Sequence, residues 1–169
     1  MTRSDLLDLT YQYYPRGMYI DSPGYSDTAE RRRQVEAARR AVAEYPKWKA
    51  MLGRLRARFS VTDRSLYILS GGFESAYSAY ISVPERPAIG FHVSILGPYY
   101  TIQRAASPGE DRCALELARE IEATYQYAPV PPEIGEVAVP DVAVDGVGMG
   151  NATIYTCLLS ASCGDGLLP

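Results

Sequence analysis

What most constrains this chain is a change of period near residue 60. From Val35 to Phe59 the apolar residues recur at helical spacing, and beyond Thr62 they alternate. In AYSAYISV, Tyr77, Ala79, Ile81 and Val83 share one face; in IGFHVSIL, so do Ile89, Phe91, Val93 and Ile95. Alternation of this kind marks strands with one buried face. Gly97 and Pro98 make a turn and YYTIQR returns, which gives an antiparallel meander. SLYILS reads as a strand ahead of it. Two later segments, EVAVPDVAV and ATIYTCLLS, read as a further pair around the glycine-rich DGVGMGN, with Pro140 confining the first to an edge or a bulge.

The helical part begins with Ser4 to Tyr14, where Ser4 can cap the first turn and Leu6, Leu7 and Leu9 start an apolar face. Asp27 and Glu30 have capping-box spacing, and the helix they open shows Val35, Ala38, Val42 and Tyr45 along one side. Pro46 fits the first turn of the next segment, with Trp48, Met51, Leu52, Leu55 and Phe59 as its stripe. The two form a hairpin or one kinked rod. Ser107, Pro108 and Glu110 start another helix, whose Ala114, Leu117, Ala118, Ile121 and Tyr125 share a face. Helices followed by strands predict an α+β fold, an antiparallel sheet with helices packed on one face. The 169 residues suit one domain, 1–169.

Several function classes can be weighed on composition alone. No apolar run reaches the roughly 18 residues of a membrane span, and the N-terminus has no signal-peptide pattern, so a cytoplasmic protein is expected. Three cysteines without a Cys-x-x-Cys pair, beside a single histidine, argue against zinc, and no cofactor is expected. Cys113 and Cys157 read as small hydrophobes. His92 falls on the strand face opposite Phe91 and Val93, and no nucleophile or carboxylate accompanies it in sequence, so it reads as a hydrogen-bonded strand residue. GVGMG would suit a phosphate only if it led into a helix, and ATIYTCLL reads as strand. The chain is therefore not expected to be an enzyme.

Charge and tyrosine content point toward a binding surface. The net charge is −3, yet residues 28–58 hold ten Arg or Lys against three Glu, while 105–169 hold ten Asp or Glu against two Arg. The basic segment could neutralise phosphates, which makes a nucleic-acid-binding or regulatory module using the Arg-rich helices 28–58 the alternative reading. Its three consecutive arginines, Arg31 to Arg33, spread round the axis as on a solvated face. Fourteen tyrosines stand against three Phe and one Trp, and tyrosine suits contact surfaces. Candidate partner-binding residues are Tyr99, Tyr100, Glu133, Glu136, Asp141 and Asp145.

YYPRGM (13–18), FHVSILGPYY (91–100), EIEATYQYAPVPPEIGEVAVPDV (120–142) and IYTCLL (154–159) together resemble a family of myxobacterial immunity proteins encoded beside polymorphic, swarm-inhibition toxins. The resemblance implies a cytoplasmic domain without an active site. Its partner would be a cognate protein toxin, neutralised by covering the toxin's active site or substrate groove. Many such toxins are nucleases with basic grooves, which an acidic surface containing Glu133, Glu136 and Asp141 would complement.

Overall fold

A computed structural model describes residues 2–70, 72–82, 84–85, 87–103 and 112–159. Helix α1, Arg3–Tyr13, is opened by Thr2, which forms a reciprocal capping box with Asp5. A 3-10 turn, Tyr25–Asp27, then leads into α2, Ala29–Arg56, capped by Thr28, whose side chain accepts from the Arg31 amide. The expected caps, Ser4 and Asp27, are thus each displaced by a residue or two. Pro46 lies inside α2 without ending it. Its ring is on the exposed side, so of the two expected arrangements the single rod forms.

The sheet has five strands in the order β1-β2-β3-β4-β5, namely Ser60–Asp63, Ala76–Ser82, Ile89–Ser94, Tyr99–Gln103 and Ala128–Pro129. The first four pair antiparallel as consecutive neighbours, and β5 joins β4 in parallel. Between β1 and β2 sits the short helix α3, Leu66–Leu69. After β4 come α4, Arg112–Tyr125, then α5, Pro132–Gly135, and α6, Ile154–Leu158. The fold is α+β, as expected. The proposed start of α4 at Ser107, Pro108 and Glu110 lies outside the described residues, as does the tail from 160.

Register explains the main core. Tyr77, Ala79 and Ile81 pair with Val93, Phe91 and Ile89, so one face of β2 and β3 is continuously apolar. Helices α2 and α4 cover it with Trp48, Leu52, Leu55, Leu117 and Ile121. Trp48 stacks on Tyr77 at 5.2 Å between ring centroids and meets Phe91 at 5.6 Å. Each large side chain buried this way contributes about 1.5–3 kcal/mol. A second cluster joins α1 to α6 and the intervening loops through Leu6, Tyr14, Val139, Val142, Ile154 and Leu158.

Three readings of the sequence need correcting. SLYILS is a helical turn, because its buried residues, Ser65 and Ile68, are three apart while Leu66, Tyr67 and Leu69 are exposed, a pattern that alternation cannot produce. The strand of that region is instead SVTD, too polar to announce itself. The buried face of α2 runs through Gln34, Ala37, Ala41 and Tyr45 and leaves Val35 and Val42 outside. Gln34 can be buried because its amide donates to Tyr13 O and accepts from Arg31. ATIYTCLLS is not a strand either. Only an isolated bridge joins Ala138 to Thr153, and Ile154–Leu158 is helical. Short apolar runs cannot be assigned to strand or buried helix by period alone.

Candidate functional site

The glycine-rich segment does lead into a helix, contrary to the sequence reading, so a phosphate site has to be judged again. Helix α6 has five residues, and Thr153 and Thr156 satisfy each other's amides in a capping box. The Ile154 amide donates to Val137 O. The first turn is therefore spent on the protein itself.

His92 lies in the row Ser78–His92–Thr101 on the sheet face away from α2 and α4. Here the structure supplies what the sequence hid. The Ser78 hydroxyl is 2.8 Å from His92 Nδ1, and Gln103 also hydrogen-bonds the ring. The histidine is only 5% exposed, and burial pushes its pKa down to about 4, with the Gln103 bond opposing the shift. At neutral pH it is an uncharged, hydrogen-bonded strand residue.

The basic and acidic stretches partly meet each other. Arg54 of α2 pairs with Glu120 of α4 at 2.7 Å and also donates to Thr124, while Arg58 reaches Glu116 and Glu120 at 3.5 and 3.4 Å. Arg33 is held by Glu30 and by Gln12 O. Part of the charge contrast thus clamps α2 to α4.

The six candidate partner residues are scattered. Tyr100 is 2% exposed, its ring in the main core and its hydroxyl donating to Glu122, so it offers no surface to a partner. It fell on the buried side of β4 because alternation seats it opposite Val93. Tyr99 is half-buried against the second cluster. Asp141 accepts from Arg16 and Tyr11, and these contacts hold its carboxyl below the usual range. Glu133, Glu136 and Asp145 are exposed. Of the six, Tyr100 borders an apolar cavity between β4 and α4, and Asp145 lines a second one with charged groups in its wall.

The cavity at Asp145, about 270 Å³, is bounded by Tyr14 at the end of α1, Tyr25 of the 3-10 turn with Arg31 at the start of α2, Tyr67 of α3, the 73–75 loop, and Val144 and Asp145. Each wall has a local cause. Tyr14 is fixed by its hydroxyl donating to Cys157 O at 2.7 Å, and its ring meets Phe73 edge-on at 6.4 Å. Tyr67 lies over Gly72, where a Cβ would come within 2.3 Å of the ring. Asp145 sits at the apex of a two-residue turn closed by mutual bonds between Val144 and Val147. Gly146 takes a φ of 74° there, which explains its type.

Glu74 is the chemically unusual member. Its Oε2 is shielded from solvent and has no hydrogen-bond partner among the described residues. Desolvation raises its pKa, opposed only in part by the field of Arg64. Arg31 donates to Gln34 Oε1 and lies 5.8 Å from the Phe73 ring centroid. The rim is apolar and open: Ile20 is 42% and Tyr67 52% exposed. In the sequence only a weak signal marks this place, a glutamate beside phenylalanine in the turn GGFES.

Comparison with protein-family models, curated proteins and solved structures finds no match for this chain. Among the described residues no helix is long and apolar enough to cross a membrane.

Proposed function

We propose that the chain is a binding protein of the immunity type, acting in the cytoplasm, which seats on a cognate toxin and covers its active site or substrate groove. The observation that supports this reading best is the open cavity just described. It combines aromatic walls, an unsatisfied carboxylate and an exposed apolar rim, the ingredients of a protein contact whose centre is desolvated on binding. The sequence resemblance to immunity proteins points the same way. The exposed Glu133 and Glu136 would add charge that steers a basic toxin toward the surface.

The test is survival of cells expressing the C-terminal domain of the product encoded immediately upstream, with and without this chain. Rescue is expected, and toxicity that the chain cannot relieve overturns the reading for that pair. Reversing Glu133 and Glu136 to lysine then probes the acidic face, and unchanged protection would exclude it. Asp141 is left out of that set, since its reversal would also break the contacts with Arg16 and Tyr11.

A further inference from the structure

A carboxylate oxygen that has lost its water and found no donor is costly, the more so when the group is charged. Glu74 Oε2 is in that position. The cation whose field lowers its pKa, Arg64, makes no ion pair with it among the described residues. A second carboxylate, Asp145, stands at the same cavity, held there by the tight Asp-Gly turn. Against the two stands Arg31, whose guanidinium is engaged by Gln34. The lining therefore keeps one negative charge in excess, and its unmet need is for a cationic donor.

Shape and chemistry narrow the donor further. About 270 Å³ falls below the roughly 300 Å³ at which drug-sized ligand pockets begin, so the space suits a single inserted side chain. The aromatic walls favour a planar cation over a compact ammonium, since a guanidinium stacks on rings and forks onto a carboxylate. Phe73 already carries one such group, that of Arg31. The exposed Ile20 and Tyr67 would close round the inserted group and exclude water.

We propose that this cavity receives an arginine side chain of the partner protein, with Glu74 as the buried acceptor and Asp145 as the charge at the entrance. The proposal deepens the reading of the chain as a toxin-binding protein and rests on it for the identity of the partner. Oε2 is shielded in the free protein, so the Glu74 carboxyl turns about its terminal bond to meet the inserted arginine, which gives it the donor it lacks and places the partner's charge between Glu74 and Asp145.

The experiment has two arms. In the first, the full chain is titrated with ethylguanidinium and with the neutral ethylurea while the ring resonances of Tyr67 and Phe73 are followed by NMR. Saturable shifts with the cation in the millimolar range are expected, with ethylurea without effect and Glu74→Gln weakening the cation by about tenfold or more. No saturable shift, equal binding of ethylurea, or unaltered binding by Glu74→Gln overturns the proposal. In the second arm, the affinity of the neutralised toxin is measured against Glu74→Gln and the control Glu36→Gln, at an exposed position of α2 to which no partner contact is assigned. About a tenfold loss confined to Glu74→Gln is expected, and a complex as tight as the native one overturns the arginine site while leaving toxin neutralisation in place. If no toxin is neutralised but the guanidinium still binds through Glu74, the partner reading fails and the cavity's preference survives.

Discussion

The back of the sheet and the cavity under Tyr67 each gather polar groups in a largely apolar protein, and they treat those groups in opposite ways. His92 is enclosed, with Ser78 and Gln103 as partners. Glu74 lines an opening and keeps one carboxylate oxygen without any. Satisfied and enclosed, the first group specifies the packing of its strands; unsatisfied and set in a cavity wall, the second stores a free-energy penalty that a ligand can relieve once the carboxyl turns toward it. A serine beside a histidine looks more like chemistry than a lone glutamate does. Access and satisfaction decide otherwise.

The comparison breaks most visibly on acidification. The folded pKa of His92, about 4, lies below the ordinary value of 6.5, so between them the unfolded chain binds the extra proton. The stability tied to neutral His92 is therefore complete above about pH 6.5 and lost as pH falls toward 4, amounting to about 3 kcal/mol. Denaturant titrations across that range should show this slope, and His92→Gln should flatten it. Asp5 and Asp141, whose pKa values are lowered, lose their contribution only below the ordinary carboxylate range, while Glu74, whose pKa is raised, adds a smaller slope of opposite sign within the window, so the difference between the native chain and His92→Gln is the quantity to read. A native chain and a His92→Gln variant with the same pH dependence from 6.5 to 4 would show that the back of the sheet is not the closed environment described.

A pair of tyrosines sharpens the same distinction with a smaller effect. The Tyr100 hydroxyl donates to Glu122 at 2.6 Å, whereas that of Tyr125 is buried without a partner among the described residues. Tyr100→Phe should cost about 1–2 kcal/mol, since a bond to a carboxylate is lost. Tyr125→Phe should be neutral or slightly stabilising. Equal losses in chemical denaturation would mean that Tyr125 has found a donor or acceptor in solution.

How much of this could be read from the chain depends on where the information lay. The meander was legible because Tyr77, Ala79 and Ile81 alternate against Ile89, Phe91 and Val93, and burial of one face enforces that register. The face of α2 was misjudged by one position because Val35 and Val42 are more apolar than Ala37 and Ala41, while the close approach of α1 and the sheet requires small residues there. The polar strand Ser60–Asp63 was missed for a similar reason. Its Asp63 is fixed by Tyr45 and Trp48, 18 and 15 positions away. The cavity was the least legible of all. Its walls come from five separated segments, and the property that singles out Glu74 is a missing contact, which no local pattern encodes.

The smallest expected effect bears most directly on Glu74. Burial raises its pKa, so the folded chain holds the proton more tightly than the unfolded one in the interval above the ordinary glutamate value. Its contribution to stability is then greatest below that value and declines as pH rises, opposite in sign to that of His92. At neutral pH Glu74→Gln should stabilise the free protein, by on the order of 0.5 kcal/mol for a half-buried site at a cavity wall. The same substitution should weaken partner binding. Gain in one measurement with loss in the other is the signature of a residue kept for a ligand, and thermal melts at pH 7 and pH 4 read the first half. Destabilisation by Glu74→Gln at pH 7 would mean that the carboxylate already has a partner inside the fold. Glu74 would then belong with His92, among the groups the structure satisfies by itself.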